Sequence, residues 1–217
     1  MFFEDLASAL EQAIRCSPAF LVIEIGGFRN LADLQILEEE DVKQAFECAG
    51  RSSRALIGMR IPLIGVINGL ICGPLLETVL FIDFLIASRT GKLSSLMLER
   101  GYMPHMGMLT NMVEIVGQQA LYAFILNGID LSAADAFAHR ITYRTVDDDQ
   151  LYAERDSLLN ILSKKEMYPV RLIKELAHHN RNICPDNADI LERYNFALCF
   201  SESKFKENID LFFKNKN

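Results

Sequence analysis

The chain has 217 residues, half of them hydrophobic and 24% charged, which is ample for a soluble domain with a substantial core. A net charge of −7 with no basic stripe excludes nucleic acid as a partner. Five scattered cysteines (Cys16, Cys48, Cys72, Cys184 and Cys199) without a C-x-x-C pair exclude a thiolate zinc site and a disulfide framework, and read as reduced, mostly core thiols of a cytoplasmic protein.

The first residues, MFFEDLASALEQAIR, have early acidic residues and no basic n-region, so no signal peptide is expected. Within them Leu6, Ala9, Leu10, Ala13 and Ile14 recur at helical spacing, which predicts an amphipathic helix over Glu4–Arg15. Phe20–Ile25 is predicted to be a strand ended by Gly26-Gly27. Glu38–Met59 is predicted to be a long helix with Val42, Ala45, Phe46 and Ala49 on one stripe. Arg51, Arg54 and Arg60 gather near its end. They offer charge to phosphates, although an arginine-rich, solvated helix C-terminus is the commoner arrangement.

The stretch Ile61–Ser88, IPLIGVINGLICGPLLETVLFIDFLIAS, organises the rest of the chain. It predicts a strand at Ile61–Ile67, a turn at Asn68-Gly69, a helix over Leu75–Phe81 buried on every side, and a strand at Phe84–Ala87. Gly73-Pro74 stands where that helix begins, since proline suits a first helical position whose N–H lacks a partner anyway. Glu77 falls near the first turn, where the helix dipole favours a carboxylate. Such a helix start can hold developing negative charge, or it can simply be a well-begun core helix. Asn68, Glu77 and Asp83 interrupt the apolar run, so it is not a membrane span. Further helices are predicted at Met108–Val116, Gln118–Leu126, Ser132–Ala138, Asp147–Lys164, Pro169–Asn180 and Asp186–Lys214. Ser132 is a good N-cap with Asp135 three residues later. Asp147-Asp148-Asp149 is most simply a helix N-terminus, and no metal site is expected anywhere. His139, His178 and His179 show no ligand spacing and read as surface residues.

Pro62, Val66, Asn68, Gly69, Gly73, Glu77, Asp83, Ala87 and Ser88 stand without a gap in the register of P-x-I-A-A-V-N-G, three glycines and C-E-L-A-L-A-C-D-x-R-I-A-S. Gly101, Pro104 and Gly107 continue like G-x-x-P-x-x-G, and LNGIDLSAADAFAHRITYRTV resembles L-T-G-x-x-I-S-A-x-E-A-x-x-x-G-L-V-N-x-V. In this ordered series, from about Glu4 onwards, the chain resembles the crotonase (enoyl-CoA hydratase/isomerase) superfamily. The resemblance implies an α/β, crotonase-like (ClpP/crotonase) spiral of ββα units. A core over residues 1–145 would be followed by a C-terminal helical region, 146–217, that assembles a homotrimer or hexamer. Members usually begin with some thirty further residues that form a hairpin and a loop touching the cofactor's phosphates and adenine. The resemblance therefore implies that this half of the site is lacking, and that coenzyme A binds weakly.

The family's shared chemistry is stabilisation of a thioester enolate by two backbone N–H donors, with carboxylates, histidines or tyrosines added to move protons. By the same register the first oxyanion donor falls on Asn30, in the stretch Phe28–Leu34 that resembles F-x-x-G-A-D-L with Leu31 in place of the glycine. The middle of the three glycines falls on Pro74, which has no N–H to give, leaving Leu75 as the next candidate. The first hydratase glutamate is retained as Glu77, while the second falls on Met97. Lys92–Leu98 stands where the family has a strand. Tyr102 and His105 are expected at the pocket mouth, with Asn68, Gly69 and Gly73 lining it. Glu77 and His105 are the candidate acid–base groups; Glu77 also reads as a capping or ion-paired residue, and His105 as an exposed loop histidine. Loss of one donor and one acid–base group argues against ordinary hydratase activity. Two functions are left open. One is isomerase- or decarboxylase-like enolate chemistry on acyl thioesters of coenzyme A or of an acyl carrier protein, as in polyketide-type pathways, with no tightly bound cofactor. The other is a non-catalytic subunit that binds or stabilises a partner enzyme.

Overall fold

A four-stranded parallel sheet frames the chain from residue 21 to residue 146. A computed structural model describes residues 2–16, 18–26, 39–95, 103–179 and 184–202, together with 204, 205, 207 and 209. Helix α1 (Phe2–Cys16) leads into strand β1 (Leu21–Gly26), and α2 (Glu39–Ile57) precedes β2 (Leu63–Asn68). Then come β3 (Leu70–Cys72), α3 (Pro74–Val79), β4 (Phe84–Ser88), β5 (Lys92–Ser94), α4 (Met108–Val116) and α5 (Gln118–Ile125). Strand β6 (Leu131–Ser132), α6 (Ala133–Ala138), β7 (Arg144–Val146), a 3₁₀ turn (Asp148–Gln150) and α7 (Leu151–Ser163) follow. Helices α8 (Met167–His179) and α9 (Pro185–Ser201) come last.

Strands β1, β2, β4 and β7 form one sheet in the order β1-β2-β4-β7, every neighbouring pair parallel. Parallel strands covered on both faces read as continuous apolar runs, and LIGVI of β2 is such a run. Side chains alternate across a strand. Ile64 and Val66 therefore face α7, where they meet Leu151 and Leu158. Ile67 faces the opposite way, into a core that holds Leu76 of α3, Met108 and Met112 of α4 and Phe124 of α5. Leu63 and Ile61 pack with Leu10 of α1 and with Ala49 and Leu56 of α2. Asp83 sets the register of β4 against β2. Its carboxylate accepts the Leu63 N–H at 2.7 Å, and its own N–H reaches the Leu63 carbonyl at 3.0 Å.

Several expected elements need correction. Between the Asn68-Gly69 turn and the helix lies a three-residue strand, β3, which pairs in parallel with β5 and starts a second sheet, β3-β5-β6. Three residues are too few to show a period, so the sequence gives no sign of it. The buried helix is also shorter than Leu75–Phe81. It begins one residue earlier, at Pro74, and ends at Val79, where the N–H groups of Phe81 and Ile82 bond back to Thr78 and Val79. The long closing helix stops at Ser201, since Glu202 turns to extended backbone (φ −69°, ψ 136°). Of the cysteines, Cys48 and Cys72 are buried, Cys16 and Cys184 are exposed, and Cys199 lies between, so the core thiols are fewer than expected. The α6 start is as read: Ser132 Oγ accepts the Asp135 N–H at 3.1 Å and the Asp135 carboxylate returns to Ser132, a capping box.

The chain forms two compact units, Met1–Ser163 and Lys164–Asn217. In the second, Lys204 pairs with Glu166 at 3.3 Å, and Phe205 stands edge-on to Phe196. Ile173, Ile190, Tyr194 and Phe200 of that unit are exposed. Among the described residues no helix is long and apolar enough to cross a membrane.

Candidate active site

The turn after β2 is where backbone conformation first departs from the ordinary. Gly69 takes φ 78°, which a side chain disfavours, and turns the chain from β2 into β3. Gly73 then takes φ 56°, ψ −133° as the N-cap of α3, and Pro74 follows at the first helical position. The Glu77 N–H closes the first turn onto the Gly73 carbonyl at 3.2 Å. Pro74 contributes no N–H to this helix start, and Leu75, the next residue, is partly buried against the main core.

Glu77 projects from α3 with its side chain wholly buried. Its Oε1 accepts the backbone N–H of His105 at 2.9 Å, and its Oε2 meets Nδ1 of the His105 ring. One residue therefore engages both carboxylate oxygens, through main chain and side chain. His105 is 24% exposed, which replaces the expectation of a simple exposed loop histidine.

The loop that carries His105 is fixed on both sides. Pro104 is buried, and the Met106 side chain inserts beside Leu10, Cys48 and Leu63. Met106 has φ 51°, a left-handed conformation that a non-glycine residue adopts only when its surroundings hold it. Gly107 (φ 81°) caps α4, and the Met108 N–H returns to the His105 carbonyl at 2.9 Å. Sequence reading puts Glu77 and His105 in one site. It does not foresee that they touch across 28 positions, nor that Met106 anchors the loop.

Other expected pocket residues serve a different cluster. Asn68 Oδ1 accepts from Ser88 Oγ at 3.0 Å, and Thr90 Oγ1 lies 3.2 Å away, so Asn68 ties the C-terminal ends of β2 and β4 together. Thr90 Oγ1 also donates to Asp148 at 2.7 Å, while the neighbouring Asp147 pairs with Arg89 at 2.6 Å. The acidic run at 147–149 thus secures the turn after β4 as well as beginning a helix. Asn30, Met97 and Tyr102 lie outside the described residues. Of the arginines near the α2 C-terminus, Arg51 is paired with Glu11 at 2.7 Å. No group of three or more His, Cys, Asp or Glu suited to a metal ion occurs among the described residues.

The Thr90 hydroxyl, opposed by partial desolvation, holds the Asp148 carboxyl below the usual carboxylate range. A depressed folded-state value adds stability above the unfolded one, near 3.8, and that contribution is lost as pH falls through the folded one. We expect wild type to melt above Asp148→Asn at pH 7 and the gap to close in strong acid. Melting curves across that range check it; a gap independent of pH would contradict the role of the charge.

A cavity of about 260 Å³ opens between α4, α5 and α6, lined by Met112, Val116, Phe124, Ile129, Asp130 and His139 among others. Neither Glu77 nor His105 borders it, so it is not the site expected from the sequence. Asp130 at its rim is held by Lys92 at 2.5 Å and by Ser94. Burial raises its carboxyl, but the hydrogen bonds from Lys92 and Ser94 together outweigh that and leave it below the usual range.

Comparison with known proteins follows the same lines. A model of the enoyl-CoA hydratase/isomerase family matches residues 4–217. A curated relative from Mycobacterium tuberculosis, "Probable enoyl-CoA hydratase echA8", is 24% identical over 161 residues, covering 74% of this chain and 63% of the relative. The chain therefore spans less than two thirds of that relative's length. Among solved structures, an enoyl-CoA hydratase from Bacillus anthracis superposes with a TM-score of 0.88 at 18% identity, over 98% of this chain and 85% of that one. A Thermobifida fusca protein solved with acetoacetyl-CoA gives 0.80 at 20% identity, over 92% and 84%. Both likenesses are to the fold.

Proposed function

Since the chain belongs to the enoyl-CoA hydratase/isomerase family and has its crotonase-like α/β fold, we propose that it acts on acyl thioesters by proton transfer at the carbon next to the thioester carbonyl. The observation that carries this is Glu77. It keeps the place of the family's first glutamate, is wholly buried, and has a histidine against it from the loop before α4. A buried carboxylate is costly to hold in a folded chain unless hydrogen bonds compensate. Here the compensation comes from a residue that itself moves protons. Isomerisation or decarboxylation through an enolate fits this pair better than hydration does. Hydration needs two carboxylates, and the second position is Met97. The family's coenzyme A chemistry and the acetoacetyl-CoA held by the Thermobifida fusca protein support coenzyme A as the carrier.

A second reading rests on Pro74. A site whose middle-glycine position has no N–H lacks one oxyanion donor, a loss worth roughly 10²–10³ in rate. That suits a subunit that has kept the fold and given up the reaction. One experiment separates the two. The protein is incubated with 3-hexenoyl-CoA in D2O and the acyl group is followed by mass spectrometry. The enzyme reading expects deuterium at the α-carbon and 2-hexenoyl-CoA as product, whereas the subunit reading expects neither. The same acyl group on an acyl carrier protein tests the other carrier.

A further inference from the structure

We propose that His105, not Glu77, is the group that takes and returns the proton, with Glu77 acting as the positioning residue that holds its ring. The inference rests on the thioester reading above and assigns the parts within it. Three observations carry it. First, Glu77 has no exposed surface, and both its oxygens are engaged by His105, so a bound acyl group meets the histidine before it meets the carboxylate. Second, Nδ1 is the ring atom turned to Glu77 and is itself shut off from solvent. The side chain as a whole keeps 24% of its surface accessible, so the residue is not sealed in the core as Glu77 is. Third, the backbone around His105 is held against strain: its N–H is spent on Glu77, Pro104 is buried, and Met106 stays at φ 51° with its side chain in the α1–α2 core. Strain kept at one loop position beside a buried carboxylate is the mark of a ring that is held in place.

The arrangement is that of a base oriented by a carboxylate. Nδ1 stands against Glu77 Oε2; the tautomer with its proton on Nδ1, facing the carboxylate, keeps the Nε2 lone pair, and the carboxylate stabilises the imidazolium that forms. In the step proposed, Nε2 removes a proton from the α-carbon of the thioester. The C–H electron pair passes into the enolate. The imidazolium, whose Nε2 proton exchanges with solvent, then delivers a proton either back to the α-carbon or to the γ-carbon of a 3-enoyl chain, the latter giving the 2-enoyl isomer. Atoms and electrons balance without any other reactant.

The test uses wild type, His105→Ala, His105→Gln and Glu77→Gln with 3-hexenoyl-CoA in D2O, together with ¹⁵N spectra of the labelled histidines. Both His105 variants keep the backbone N–H that Glu77 accepts, and circular dichroism establishes that they fold. We expect exchange to fall about 10²–10⁴-fold in both, thioester affinity to stay within a few fold, and added imidazole to restore part of the rate to His105→Ala. We also expect Glu77→Gln to shift the ¹⁵N signature of His105 away from the Nδ1–H tautomer. Exchange that persists in both His105 variants but is lost in Glu77→Gln would make Glu77 the base and overturn the inference while leaving the thioester reading standing. No exchange by wild type would overturn the thioester reading, and this inference with it.

Discussion

Pro74→Gly is expected to strengthen the grip on an enolate by the worth of one oxyanion donor, about 2.7–4 kcal/mol, or roughly 10²–10³ in affinity for an enolate mimic. Acetoacetyl-CoA, whose enolate form is such a mimic, is the probe, with calorimetry on wild type and variant. The expectation follows from position. Residue 74 opens α3 directly after the Gly73 N-cap, the place where the proposed function needs an oxyanion donor. Glycine there supplies the N–H that proline lacks. Losing proline's preset φ works the other way, by about 0.4–1 kcal/mol of stability, too little to mask the gain. Hydration is not expected to return, because Met97 still cannot donate or accept a proton. If the Leu75 N–H already serves in place of residue 74, wild type binds the mimic and the variant gains nothing. Negligible binding by both would favour the non-catalytic subunit.

Gly65→Val is expected to be the most damaging single substitution for the fold, at least the 1–3 kcal/mol typical of overpacking. A Cβ at this position would stand 2.4 Å from Ile82 Cδ1, closer than real contacts come, and 3.1 Å from Leu85 Cδ1, tighter than most of them. Both side chains would have to shift. Gly65 is in the central strand β2, paired in parallel with β1 on one side and with β4 on the other. Leu85 lies in the main core, with Ile82 packed against it. Interiors packed to crystal density pass such strain on rather than absorb it. Chemical denaturation of the variant beside wild type measures the loss, and an unchanged midpoint would show that β2 and the Ile82 turn can separate without penalty.

What the sequence determined by itself is what depends on neighbouring residues. The apolar run of β2 announces a strand, and Gly73-Pro74 marks where α3 starts. Ser132 and Asp135, three residues apart, announce the capping box. These are short-range effects of turn chemistry, capping and period, and the ordered series of motifs adds the family. Tertiary structure alone decided how distant residues share work. Asn68 looked like a pocket residue, yet its partners are Ser88 and Thr90, because parallel pairing of β2 with β4 brings their C-terminal ends together. Asp147 and Asp148 looked like a helix start and proved also to hold the turn after β4. Glu77 and His105 stand 28 positions apart, and no local pattern says that one covers both oxygens of the other. That contact exists because Met106, buried between α1 and α2, accepts a left-handed backbone and sets the loop down on α3. Positive φ at a methionine has no signature in composition or period. It is imposed by packing from elements far away in the chain.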